Sequence, residues 1–234
     1  MKSGMCHVSA LAGCLLVSAC AMPAAAADSE AAVAPRHAAL LAAPPGEWAD
    51  RIAASLPMTQ PEAAALLLAV RRQPAAAGAP AAVAALGRCA QPIDEAILAE
   101  MVADRGLLAT EAAIALGERK AASAVEILRA AVADAAADAT LRTAAACALV
   151  RMGHGRAMSP FLAAVLLAGT PAGAEAGARH GLPVRPRWAM ERYLVQRLLL
   201  REGDPELARR LDPDASWPAL EKVTAEVVAW LEAR

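Results

Sequence analysis

A chain of 234 residues with 23 basic and 24 acidic side chains carries a formal net charge of −1. It is 58% hydrophobic but only 3% aromatic, and alanine makes up much of the apolar count. Alanine has the highest helix propensity and little use in strands, so this composition excludes a sheet-rich fold and predicts an all-α one. Burial stabilises by roughly 25 cal/mol per Å², so small side chains gain little from each contact and many contacts must share the task.

The first 27 residues, MKSGMCHVSALAGCLLVSACAMPAAAA, open with Lys2, continue with an apolar run from Val8 to Ala19 and end in small residues. This resembles a secretory signal peptide. The run is too short for a transmembrane span, which needs about 20 residues, and no later stretch reads as one. Two processing sites compete. Val17-Ser18-Ala19-Cys20 resembles the lipobox of bacterial lipoproteins, which would lipidate Cys20. Ala25-Ala26-Ala27 resembles an ordinary signal-peptidase site. Leu11-Ala12-Gly13-Cys14 also matches a lipobox by letters, but almost no apolar run precedes it. The expectation is an exported protein, either free in the periplasm or anchored to the envelope membrane through Cys20. Export and the slightly acidic balance both argue against nucleic acid as a partner. Cleavage after residue 27 leaves Cys89 and Cys147, expected to be buried as small apolar residues and too far apart for a disulfide.

Residues 28–45 read as a flexible Ala- and Pro-rich lead-in, with room for a short helix over 36–41 and a solvated His37. Helical repeats are predicted over 46–168. Pro45-Gly46 opens a helix with Trp48, Ile52 and Leu56 at i, i+4, i+8. Thr59-Gln60-Pro61-Glu62 is a capping box with proline in the first turn, and Gln73-Pro74 ends the helix it starts. Residues 79–103 form a further hairpin, with Ala82, Ala85, Leu86 and Cys89 on one face and Ile93, Ile97 and Met101 on the other.

Residues 107–165 are one motif written twice. Leu108, Ala112, Ala115 and Leu116 recur 33 positions later as Leu141, Ala145, Ala148 and Leu149. Val125, Leu128 and Val132 recur as Met158, Phe161 and Val165. Spacings of i, i+4, i+7, i+8 and i, i+3, i+7 each define one buried helix face, so each copy is a helix hairpin. Residues 169–186 then read as a Gly/Pro-rich loop, long for a connection inside a domain. Residues 187–234 read as a C-terminal helical cap that holds Trp188, Tyr193, Trp217 and Trp230, its last helix capped by Asp214 or Ser216.

Ala115-Leu116-Gly117 through Leu128, and Ala148-Leu149 through Leu162, resemble HEAT-like repeats of the bilin-lyase type. Leu149, Met152, Gly153, Ala157, Met158 and Phe161 fill that pattern in order. Leu116, Gly117, Ala124, Val125 and Leu128 do so in the other copy, where Lys120 replaces the second glycine. The resemblance implies a right-handed α-solenoid and a protein-binding surface. It does not imply lyase activity, because the pattern consists of packing residues.

No reactive constellation accompanies the repeats. His154 sits in a Gly-His-Gly turn, His180 in the Gly-rich loop, and neither has a carboxylate or cysteine at metal spacing. Ser159 before Pro160 reads as a residue of a helix start, and neither a nucleophile elbow nor a phosphate loop is present. No cofactor or metal is therefore expected. The charge is segregated: residues 151–201 hold eight Arg against Glu175 and Glu191, while the flanking segments are acidic. The candidate partner-binding residues are Arg151 and Arg156 at one turn, and Arg179, His180, Arg185 and Arg187 at the next connection. The reading is a non-enzymatic interaction scaffold for an acidic protein partner. Two alternatives stand beside it: an enzyme or small-ligand protein with its site between residues 169–187 and the repeats, and a membrane-surface adaptor lipoprotein.

Overall fold

Side-chain oxygens and prolines open most of the helices in this chain. The computed structural model describes residues 33–182, 189–212 and 216–234, and among them every regular element is helical. The α-helices are α1 (Pro35–Leu41), α2 (Trp48–Ser55), α3 (Gln60–Arg72), α4 (Ala79–Arg88), α5 (Glu95–Ala103), α6 (Ala109–Arg119) and α7 (Val125–Ala133). They continue as α8 (Ala139–Arg151), α9 (Gly155–Leu167), α10 (Pro171–Arg179), α11 (Ala189–Arg201), α12 (Pro205–Arg210) and α13 (Trp217–Glu232). The side chains of Asp94, Asp138, Thr170 and Asp204 each accept a backbone N–H of their own first turn. At α3 the Glu62 carboxylate accepts from the Thr59 amide and the Thr59 hydroxyl, both at 2.8 Å, and from Arg36 at 2.9 Å. The Thr59 amide first of all, then its hydroxyl and Arg36, hold the Glu62 carboxyl down at about 2.

The helices pack in a row. α2 lies against α4, α4 against α6, α6 against α8 and α8 against α11. Behind them α5 packs on α6 and α7, α7 on α8, and α13 on α9. The repeat letters Ala-Leu-Gly supply the contact between successive members of the row. A Cβ on Gly87 would come within 2.8 Å of the Ala115 Cα, and one on Gly117 within 2.7 Å of the Ala148 Cα. The glycine of one helix thus meets the alanine of the next, and neither position has room for a side chain. Val150 stands in the glycine slot of the third copy and is itself buried. The leucines of the motif, Leu86, Leu116 and Leu149, are fully buried, and Leu128 and Phe161 occupy the equivalent core position of their hairpins.

The segments outside the repeats are more ordered than composition predicts. The expected mobile lead-in holds α1, which packs on α2 and α4. His37, expected in solvent, is fully buried, with Nε2 3.3 Å from the Ser55 carbonyl. Gly78 makes this possible: its amide donates to the Leu41 carbonyl at 2.8 Å, and a Cβ there would overlap the Leu40 carbonyl oxygen. The 169–186 connection contains α10, started by Thr170, whose hydroxyl accepts from the Gly173 amide at 2.8 Å. Ser159 lies inside α9, not at its start. Its hydroxyl donates to the Arg156 carbonyl at 3.2 Å, the group that Pro160 leaves without its usual amide partner. In α13, Val223 and Val227 face the core while Trp217 is exposed. Ser216 is its N-cap residue, and Asp214 lies outside the described residues.

Candidate functional site

The basic residues singled out in the sequence fall into two separate groups. Arg151 ends α8 and forms ion pairs at 2.9 Å with Glu118 of α6 and at 2.9 Å with Glu202, just past α11. Arg234 reaches the same Glu202 at 3.3 Å, and Arg201 lies 3.8 Å from Glu118. Arg88, Glu118 and Arg151 occupy the same repeat position on α4, α6 and α8, so charge alternates along the row. Arg151 is mostly buried within this ladder and serves as an internal link. Arg156, in the first turn of α9, is exposed.

Arg179 and His180 lie elsewhere, at the end of α10, and line a groove of about 330 Å³ with Met158, Pro160 and Phe161. The His180 ring meets Phe161 edge-on at 5.7 Å. Burial, then the nearby Arg142 and Arg179 charges, lower the His180 pKa and so disfavour the imidazolium. Arg185 and Arg187 lie outside the described residues, as does Cys20.

Sequence reasoning missed Arg142, the buried base of that groove. It sits in α8 amid apolar neighbours, and nothing in its local letters separates it from a solvated polar position. Nε donates to the Val132 carbonyl at 3.0 Å, Nη2 to His180 at 2.6 Å and Nη1 to Gly181 at 3.3 Å. Its guanidinium also stacks 5.1 Å from the Phe161 ring centroid. Burial lowers its pKa, and the nearby Asp134 charge opposes that shift. Arg142 thus closes the carbonyl ends of α7 and α10, where the helix dipole favours a cation.

Two more arginines do the same work. Arg119 donates to the Cys89 carbonyl at 2.8 Å and the Gln91 carbonyl at 3.1 Å, beyond the end of α4. Arg192 donates to Leu166 at 3.2 Å and Ala168 at 3.1 Å, at the end of α9. Part of the basic composition is therefore structural, binding helix ends from the neighbouring hairpin.

A different set of cations faces outward. Arg88 and Arg197 form no ion pair among the described residues; the Glu118 carboxylate, already occupied by Arg151, acts on Arg88 and lies 3.8 Å from Arg201. Arg197 and Arg201 rim a small groove between α6, α8 and α11, floored by Cys147, Leu194 and Leu198. Arg88 and Arg201 rim its wider continuation beyond Glu118, about 460 Å³. Cys147 is inert there, because burial pushes its thiol up to about 12. Beside the groove, α11 leaves Met190, Tyr193 and Leu200 exposed.

Among the described residues no group of three or more His, Cys, Asp or Glu is placed to hold a metal, and no helix is long and apolar enough to cross a membrane. Comparison with protein-family models, curated proteins and solved structures finds no match to this chain.

Proposed function

We propose that this chain is a HEAT-like, right-handed α-solenoid exported to a bacterial envelope, where it acts as an interaction scaffold for an acidic protein partner. The observation that carries the reading is the register of the glycine–alanine contacts. Gly87 on Ala115 and Gly117 on Ala148 repeat one close approach from hairpin to hairpin, as stacking of equivalent units requires. Such stacking creates extended surfaces, and the cations that face outward in this chain supply the sign of the partner. The small-ligand alternative draws on the groove lined by Arg142, Phe161, Arg179 and His180. It is weaker, because Arg142 directs three of its N–H groups at backbone carbonyls and holds α10 in place instead of presenting a fork to a ligand.

The test is photocrosslinking in intact host cells, with a crosslinking residue placed in turn along the helical surface. A discrete partner band from at least one face is the expected result, and silence from every face overturns the scaffold. Mass spectrometry of the mature N-terminus checks the location. A lipid-modified Cys20 establishes the membrane tether, and an unmodified start at Asp28 refutes it and the adaptor reading with it.

A further inference from the structure

The outer face of α11 combines two features that are rare together. Met190, Tyr193 and Leu200 are 55%, 49% and 51% exposed, and with Arg197 they follow i, i+3, i+7, i+10. That spacing is one helix stripe, about 15 Å long at 1.5 Å per residue. A surface helix normally turns its polar side to water, so an exposed apolar stripe marks a contact surface. Arg197 joins the stripe to the groove that it shares with Arg201, and it stacks 5.9 Å from the Tyr193 ring.

The charge around this stripe is not balanced. Glu118 and Glu202 are the carboxylates of the ladder, and both are held at 2.9 Å by Arg151. Arg88 and Arg197 form no ion pair among the described residues, Arg201 stands 3.8 Å from Glu118, and that one carboxylate, already held by Arg151, also acts on Arg88. Cations held close to one another raise each other's energy, and an incoming carboxylate relieves that repulsion. Arginine suits this, because its planar fork takes a carboxylate in two parallel bonds. Arg88, Arg197 and Arg201 line one continuous groove beside the apolar α11 stripe, so a segment with acidic and apolar residues on one face meets both features.

We propose that the α11 stripe and the adjoining arginine groove dock an acidic amphipathic helix of a partner protein, with its apolar residues on Tyr193 and Leu200 and its carboxylates on Arg88, Arg197 and Arg201. The inference rests on the scaffold reading and assigns it a face. Recognition of this kind is helix-in-groove binding, with anchors spaced three and four residues apart.

The probe is a labelled synthetic helix carrying Leu at i, i+3, i+7 with Glu beside them, followed by fluorescence anisotropy with the full mature protein. Binding at low salt is expected, weakening as salt is raised. Arg88→Glu with Arg197→Glu should weaken it by roughly tenfold or more, since an exposed and a half-buried groove cation would then both repel the peptide carboxylates. Tyr193→Ser with Leu200→Ser should weaken it without changing the salt dependence. All four positions are outside the core, and an unchanged melting temperature confirms that the variants fold. Equal binding of the Glu→Gln peptide, or indifference to both double variants, overturns the proposal. So does preferential binding to vesicles of phosphatidylglycerol and phosphatidylcholine with the same arginine dependence, which would make the face a lipid surface. In cells, a crosslinker at Tyr193 should capture a partner, and Arg88→Glu with Arg197→Glu should abolish that band. Capture only from a crosslinker at Leu107, on another face, overturns this docking site but leaves the scaffold standing; capture from neither position, nor from any other, removes both.

Discussion

The α6–α7 and α8–α9 hairpins share a register of 33 residues but carry different side chains at the same turn. α6 closes with the Ala121 amide on Leu116 at 3.0 Å and Lys120 on Gly117 at 3.1 Å. α8 closes with His154 on Leu149 at 3.0 Å and Gly153 on Val150 at 3.0 Å. The backbone is the same, and both turns need a left-handed residue: Gly153 at φ 88° and Lys120 at φ 53°. The two turns keep this conformation even where lysine is unsuited to it. The hairpins differ again at the helix contact, where Gly117 admits Ala148 but its counterpart Val150 excludes a similar approach.

The largest test of this equivalence is in the core. Phe161→Ala should lower stability by about 3–5 kcal/mol and Leu128→Ala by about 2–5 kcal/mol, both read from the midpoint of urea unfolding. Phe161 should lie at the upper end, since it also loses its contacts with Arg142 and His180. An unchanged midpoint for either one breaks the shared register. Next comes the close approach between helices. Gly117→Ala inserts a methyl against the backbone of α8 and should destabilise by about 1–3 kcal/mol, with Gly87→Ala comparable. A neutral result at both sites would show that the row is loosely packed.

The turns should respond in opposite directions. Gly153→Ala should destabilise by about 1 kcal/mol, and Lys120→Gly should stabilise by less than about 1 kcal/mol, because glycine also loosens the unfolded chain. The same sign at both turns would mean that they are not equivalent. The smallest effect lies outside both hairpins. Glu62 has its folded pKa depressed from 4.5 to about 2. Its contribution is therefore present above about pH 4.5 and lost as pH falls towards 2. Glu62→Gln should flatten that part of the acid unfolding curve, and an identical curve for the variant would show that the box contributes nothing.

The repeats were legible because their signal is periodic and local. Leucine and alanine at helical spacing mark buried faces whatever lies opposite them, and Thr59 with Glu62 marks a start within four residues. Arg142 was not legible, because its burial depends on α7 and α10 arriving from either side. His37 failed for a related reason. Its segment is ordered by Gly78, about forty positions away, whose missing side chain admits the end of α1. The candidate site divides along the same line. Arg179 and His180 do share a groove, as their proximity in sequence suggests, but Arg151 was claimed by Glu118 of α6 and by Glu202 just past α11. Charge counts cannot separate an arginine that holds carbonyls from one that awaits a partner.

The arginines that reach across hairpins also bear on how such a chain can change length. Repeat arrays gain and lose units when their members are interchangeable. Here Arg119 of α6 closes the end of α4, whereas Ala121 and His154 supply the equivalent closure from the backbone of their own turns. Excising the α6–α7 unit would bring α8 against α4 with no arginine at that end, and would remove the Glu118 that anchors Arg151. Duplicating it would place a second Arg119 over a helix whose end is already closed. The hairpin motif recurs, but its joints are individual, so the α6–α7 hairpin is not interchangeable with the α8–α9 one.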